Sequence, residues 1–230
     1  ADRDADPLRR LTRKAYTIPA GADIPDPGAV TYAYDDPTTS FSKGRLTSIA
    51  GSTGSTSVAY DNLGRPIAEE ETIGGTRYTF QAGFDLLDRL TSLTYPDGEA
   101  VSYAYNRQGA LERVASAGTT YVANADYHES GQLTRLALGN GVSTDYTYEA
   151  KTLRLSTLRT TGPSGTLQDL AYTYDPVGNI RQLEDRAAGT SQAFLYDDLD
   201  RLLQASGPYG LRSYAYDALG NLTGKGPAAL

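Results

Sequence analysis

Cysteine, methionine and tryptophan are absent from the 230-residue sequence, and histidine occurs once. Without cysteine there is no disulfide scaffold, no thiolate zinc site and no cysteine nucleophile. The same absence fits an exported protein that avoids mispairing. The missing methionine leads us to expect a processed chain or a piece of a longer one. No run approaches the roughly 18 apolar residues of a membrane-spanning helix, so no membrane span is expected. The opening ADRDADPLRR lacks the basic and apolar regions of a signal peptide. Positive charge is also short, with Lys and Arg numbering 21 against 28 Asp and Glu, a net charge of -7. That balance argues against nucleic acid or anionic lipid as partners, and the run Arg9, Arg10, Arg13 and Lys14 is too short to reverse it.

Tyrosine is plentiful, at 18 residues against 4 phenylalanines. At that density it suits a half-buried pleated surface and moves the class towards all-β. The tyrosines also recur. Segments such as VAYDNLGRPI (from Val58), YAYNRQGALERV (from Tyr103), YTYDPVGNIRQL (from Tyr172) and YAYDALGNLTGK (from Tyr214) are copies of one unit. Their anchor aromatics are Tyr34, Tyr60, Phe84, Tyr105, Tyr127, Tyr148, Tyr174, Tyr196 and Tyr216. The mean period is about 23 residues, in the range of stacked repeat architectures.

Each unit reads as a hairpin. Aromatic-x-aromatic, as in Tyr172 and Tyr174, puts two rings on one face of a strand. Then comes turn grammar: Asp61 to Gly64, Asn106 to Gly109, Asp175 to Gly178 and Asp217 to Gly220, with Gly131 closing the turn of the copy that begins at Ala125. The Asp or Asn caps its own turn and the Gly accepts a positive φ. A second strand follows, as in Arg45-Leu46-Thr47-Ser48-Ile49, read as alternating with one buried and one wetter face. YPDGE, GNGV, GPSGT and GPYG link successive hairpins. The expected architecture is an all-β array of about nine antiparallel hairpins over residues 31–224, forming a coiled sheet. Residues 1–30, with Pro19, Pro25 and Pro27, form a partly irregular lead-in, and 225–230 a tail. The nearest approach to a helix-period segment is Pro7 to Lys14.

Candidate reactive groups mostly fall inside this grammar. His128 stands where sibling copies carry Asp, Asn or Glu, which makes it a turn substitution, and no GxSxG turn supports a Ser-His-Asp triad. Asp35, Asp61, Asp85, Asp175, Asp197 and Asp217 recur once per period, so their proximity is structural before it is a carboxylate pair for glycoside cleavage. Asp2, Asp4 and Asp6 resemble the start of a calcium loop, but Pro7 and Arg13 occupy the positions that need Gly and Glu. Asn221-Leu222-Thr223 fits a glycosylation sequon as a by-product of the repeat. No catalytic, metal or cofactor site is expected. Tyrosine rows, if exposed, would suit a glycan.

With DNLGRPI, DPVGNI, DALGNL and TYPDGEAVSYAYN laid out, the chain resembles the YD-repeat (RHS-repeat) family, consensus near Y-x-Y-D-x-x-G-R-L, over roughly residues 31–224. That family includes bacterial Rhs toxins, shell components of Tc toxin complexes, wall-associated bacterial proteins and teneurins. The resemblance implies a secreted or cell-surface structural module: hairpins coiling into a hollow shell around a toxin or other cargo. The autocleavage segment and toxin domain typical of shell-forming members are not recognisable in this sequence. Size also matters, since about 18 strands at roughly 4.8 Å spacing make a sheet near 86 Å wide, closing to only about 27 Å across. A 100-residue cargo is on the order of 34 Å in diameter. Encapsulation therefore needs further YD repeats of a longer chain. The alternatives are an adhesion or glycan-binding module, or a filament or sheath built by self-association through open sheet edges.

Overall fold

The computed structural model describes residues 2–16, 18 and 28–227, and these hold twenty β-strands. The chain divides into two compact units, Ala1–Ala104 with Ser116–Gly118, and Tyr105–Ala115 with Thr119–Leu230. The first unit carries β1 (Asp2–Ala5), β2 (Leu11–Ala15), β3 (Val30–Tyr34), β4 (Leu46–Gly51), β5 (Gly54–Tyr60), β6 (Pro66–Ile73), β7 (Thr76–Phe84), β8 (Leu90–Thr94) and all but the last residue of β9 (Ala100–Tyr105). The second carries β10 (Leu111–Ala115), β11 (Thr120–Tyr127), β12 (Leu133–Leu138), β13 (Ser143–Tyr148), β14 (Leu155–Gly162), β15 (Gly165–Tyr174), β16 (Ile180–Asp185), β17 (Thr190–Tyr196), β18 (Leu202–Gly207), β19 (Gly210–Tyr216) and β20 (Leu222–Pro227). Within each unit every strand pairs antiparallel with its neighbours in sequence, and strand contacts link only consecutive strands.

One expectation about the second strand of each hairpin is corrected. Its apolar residues are three apart, not two: Leu46 and Ile49, Leu90 and Leu93, Leu133 and Leu136. On a regular strand such pairs point to opposite faces. A bulge before the anchor aromatic resolves this. Tyr172 lies opposite Leu183 and Tyr174 opposite Ile180, with Arg181 skipped. The same one-residue shift precedes Tyr34, Tyr60, Phe84, Tyr127, Tyr148, Tyr196 and Tyr216. The extra residue returns the second apolar side chain to the aromatic face and adds local twist. Each ring then has a cross-strand partner, a contact worth roughly 0.2–1 kcal/mol.

Packing is correspondingly shallow. Among the described residues the buried apolar side chains are Val101, Ala125 and Ala205, at 3–5% exposure, and no large side chain is fully buried. The opposite face is polar. In the second unit Arg135 faces Asp145 (3.9 Å) and Arg159 faces Asp169 (3.7 Å), beside Ser143 bonded to Thr161.

The ends differ from the sequence reading. Pro7 to Lys14 is turn and strand, and β1–β2 is a hairpin with the same bulge, Asp4 opposite Arg13 but Ala5 opposite Leu11. The structure therefore contains a tenth copy of the unit where a lead-in was expected. Pro19, Pro25 and Pro27 lie outside the described residues. Residues 225–227 belong to β20 and not to a tail.

Candidate functional site: a ladder of aspartate turns

Most of these turns are organised by the carboxylate at their first position. Asp61 Oδ1 accepts the backbone N–H groups of Leu63 (2.9 Å) and Arg65 (3.0 Å), and Oδ2 accepts Arg65 Nε at 2.6 Å. The backbone closes the same ring: Asp61 N–H donates to the Arg65 carbonyl and Gly64 N–H to the Asp61 carbonyl, both at 3.0 Å. Asp85 with Arg89, and Asp197 with Arg201, repeat the pattern. Asp175 and Asp217 make it with Asn179 and Asn221, whose amides replace the guanidinium. Asn106 keeps the backbone half alone, through Gln108 and Ala110. The fourth position needs a positive φ, which Gly64, Gly109, Gly131, Gly178 and Gly220 supply. Gly178→Val is expected to destabilise its hairpin by about 1 kcal/mol or more, because φ of +117° there excludes a β-branched side chain. Thermal unfolding followed by tyrosine circular dichroism checks it, and an unchanged Tm contradicts it.

The arginine or asparagine that ends a turn also reaches the next one. Arg65 Nη1 donates to the Asp85 carbonyl (2.7 Å) and to Asp88 Oδ1 (2.9 Å), with its guanidinium 5.1 Å from the Phe84 ring centroid. Arg154 bonds the Asp175 carbonyl (2.9 Å) over Tyr174, and Arg201 lies over Tyr216. Asn179 donates to Asp200 at 2.7 Å. Asp88 and Asp200 occupy the glycine position at φ near +60°. Each offsets that strain by accepting a bond from the preceding turn.

The anchor hydroxyls close the ladder from the other side. Tyr60, Tyr127, Tyr148 and Tyr174 donate to the carbonyls of Leu46, Leu111, Leu133 and Leu155, each at 2.7 Å, and Tyr216 donates to Leu202 at 3.1 Å. Every acceptor begins the second strand of the preceding hairpin. Tyrosine is thus spent on the neighbouring copy, not on a ligand.

The other singled-out residues find structural places. His128 Nδ1 accepts the Ser130 N–H (3.1 Å), the turn task of an aspartate, and Ser130 Oγ turns to Gln132. Asp4 pairs with Arg13, and Asp6 with Arg10 at 2.6 Å. Asp6 to Arg10 is the turn that sequence reasoning missed. DPLRRLT matches DLLDRLT at Asp85, but an alignment on the aromatic passes over it because Ala5 stands at the anchor. Arg10 continues to Asp35 and lies 4.5 Å from the Tyr34 centroid, as the later arginines do.

These contacts act on the carboxyls. The Arg89 side-chain hydrogen bond holds Asp85 below its ordinary value against partial desolvation. At Asp197 the Arg201 backbone N–H is the leading cause, and at Asp217 the Asn221 amide is. Asp6 is lowered chiefly by the Arg10 backbone N–H and Asp35 by the Arg10 side chain. A carboxyl depressed on folding adds stability above its unfolded value of about 3.9, and that contribution disappears as pH falls through the lower folded value. The Tm is therefore expected to be level from about pH 7 to 5 and to fall progressively below about pH 4. A Tm unchanged down to pH 2 contradicts this.

Comparison with known proteins gives the geometry a context. The RHS Repeat family matches residues 84–120. Toxin subunit YenC1 of Yersinia entomophaga is 39% identical over 102 residues, 37% of this chain and 10% of the relative. YenC2 of the same organism is 42% identical over 97 residues, 35% of this chain and 10% of the relative. The chain thus spans about a tenth of the length of these relatives. Among solved structures, the TcdB2–TccC3–Cdc42 crystal structure aligns with 93% of this chain and 13% of its own, at TM-score 0.78 and 22% identity. The Tc holotoxin pore of Photorhabdus luminescens aligns with 94% of this chain and 13% of its own, at TM-score 0.77 and 22% identity. At that identity the likeness is one of fold.

Proposed function

Because the chain belongs to the YD-repeat, or RHS-repeat, family, we propose that it is a non-enzymatic structural module, one segment of a repeat shell that encloses a toxin or other cargo in an exported bacterial protein. The observation that carries this reading is where the turn residues are spent. Arginine, asparagine and tyrosine bind the neighbouring copy, so the array holds its own order without a deep core. A sheet built this way makes a wall, and its half-covered aromatic face gives a wall a side to pack upon. The relatives being named as toxin subunits supports the cargo class. The partners of this segment are then further YD repeats and the enclosed domain.

Protease protection tests it. The chain is expressed with everything encoded in frame on either side and digested with proteinase K at neutral pH. A non-repeat domain that survives until urea opens the array is the expected result. Cleavage at the rate of the isolated domain overturns the proposal, as does an open reading frame with no other folded domain.

A further inference from the structure

In the second unit one turn is capped by a ring instead of a carboxylate or amide. His128, the one histidine of the sequence, holds the first position of the turn between β11 and β12, where sibling copies carry Asp, Asn or Glu. Asp61 accepts the N–H groups of Leu63 and Arg65 and the Arg65 Nε. Neutral imidazole has one lone pair for that task, and Nδ1 accepts the Ser130 N–H with it at 3.1 Å. Ser130 Oγ lies 2.8 Å from the same nitrogen and donates to Gln132 Oε1 at 3.0 Å. Gln132 Nε2 then donates to the Leu153 carbonyl at 2.7 Å, which carries the line into the following turn. One ring nitrogen thus has two exclusive uses. With its proton on Nε2 the ring accepts the backbone N–H; as imidazolium it donates to Ser130 Oγ and leaves that N–H without an acceptor.

We propose that the β11–β12 hairpin is an acid-sensitive release within the array: protonation of His128 turns the acceptor of its turn into a donor, and this hairpin loosens in mildly acidic solution while the aspartate turns hold. Histidine is the side chain whose charge ordinarily changes between about pH 5 and 8, a window in which aspartates stay ionised. The surrounding charges do not impose one form of the ring. Glu129 shares its turn, Arg107 stands on the preceding turn, and Glu149, Lys151 and Arg154 on the following one. On the strands, Asp126 is opposite Arg135, Arg135 faces Asp145, and Glu112 adjoins Arg113 on β10. Both signs therefore stand on every side, and the exchange of hydrogen bonds at Nδ1 decides the response. Gln132 keeps its bond to Leu153 in either state, so the loss falls on the turn's own closure. Because the charge changes at one turn, the effect is local, and the Tm level expected from the carboxylates is compatible with it. The device is independent of anything the wall encloses, and its failure would leave the shell reading untouched.

Amide exchange measured by NMR on the 230-residue chain at about pH 7.5 and 5.5 tests this, with rates expressed as protection so that the intrinsic pH dependence of exchange cancels. The Ser130 amide is expected to lose protection about fivefold or more at the lower pH, the scale of one net hydrogen bond, and the turn ends of β11 and β12 should follow it. The Leu63, Leu199 and Leu219 amides, which carboxylates hold in the equivalent place, should keep theirs. His128→Asp, which restores the acceptor of the sibling turns, should abolish the difference between the two pH values, and His128→Asn should do the same. A long-range proton–nitrogen spectrum of the imidazole should show the proton on Nε2 at pH 7.5 and on both nitrogens at pH 5.5. The proposal is overturned by equal Ser130 protection at the two pH values, by an equal loss at Leu63, Leu199 and Leu219, by a loss that persists in His128→Asp, or by a ring already protonated on Nδ1 at pH 7.5.

Discussion

Gly139→Ala is expected to destabilise the β11–β12 hairpin by about 3 kcal/mol or more, the cost of forcing new atoms into a close-packed backbone contact. A Cβ at residue 139 would lie 1.7 Å from the Thr120 carbonyl oxygen and 2.6 Å from its carbon. Neither atom belongs to a side chain that can swing aside. The Gly139 N–H is also donated to the Tyr121 carbonyl at 3.1 Å, so moving away breaks a backbone bond. Gly131→Ala at the other end of the same hairpin is the comparison. Its φ is +86° and nothing lies within 4 Å of the added carbon, so only conformational strain of about 1 kcal/mol is expected. Hydrogen exchange is the appropriate readout, because a repeat array opens locally. If amides of β11 and β12 lose no more protection in Gly139→Ala than in Gly131→Ala, the close approach is not what holds these strands.

The difference between those two glycines shows what a sequence can and cannot reveal. Gly131 is legible, since a glycine four positions into an aspartate-type turn has a local reason to be there. Gly139 is legible only as part of the link GNGV. Its close approach depends on Thr120, nineteen residues away and on another strand. The same division runs through the whole array. Asp61, Asp85 and Asp217 act within five residues of themselves, so their turns were readable. Arg65 and Arg154 do half their work on turns some twenty residues downstream, and that half was not. The bulge hid for a related reason: Leu90-Thr91-Ser92-Leu93 looks like imperfect alternation until a partner strand shows that Thr91 is skipped. The turn at Asp6 was obscured differently, by Ala5 in place of the aromatic on which the copies were aligned.

Tyr174→Ala is expected to cost about 3 kcal/mol, within the range for truncating a large aromatic that is not wholly buried. The ring faces Ile180 across its own hairpin, lies 5.7 Å from the Arg154 guanidinium, and donates its hydroxyl to the Leu155 carbonyl. Burial raises the phenol above its ordinary value, which keeps that hydroxyl a proton donor at neutral pH. Tyr174→Phe removes only the hydrogen bond and should cost about 1 kcal/mol. Phe84 supports that ordering, because the chain already carries one anchor with a ring and no hydroxyl, still covered by Arg65. Coupling to the preceding copy can be isolated by a double-mutant cycle with Arg154→Ala, where an interaction energy of about 0.5–1 kcal/mol is expected for the guanidinium over the ring. Urea unfolding of the four proteins measures it. Additive losses would mean that the arginine acts through the Asp175 and Pro176 carbonyls and not through the ring, and equal losses in Tyr174→Phe and Tyr174→Ala would place the anchor's whole contribution in its hydroxyl. The contacts predict neither: the ring joins the two strands of one hairpin, the hydroxyl joins that hairpin to β14 of the preceding one, and Arg154 strengthens the second junction by acting on the first.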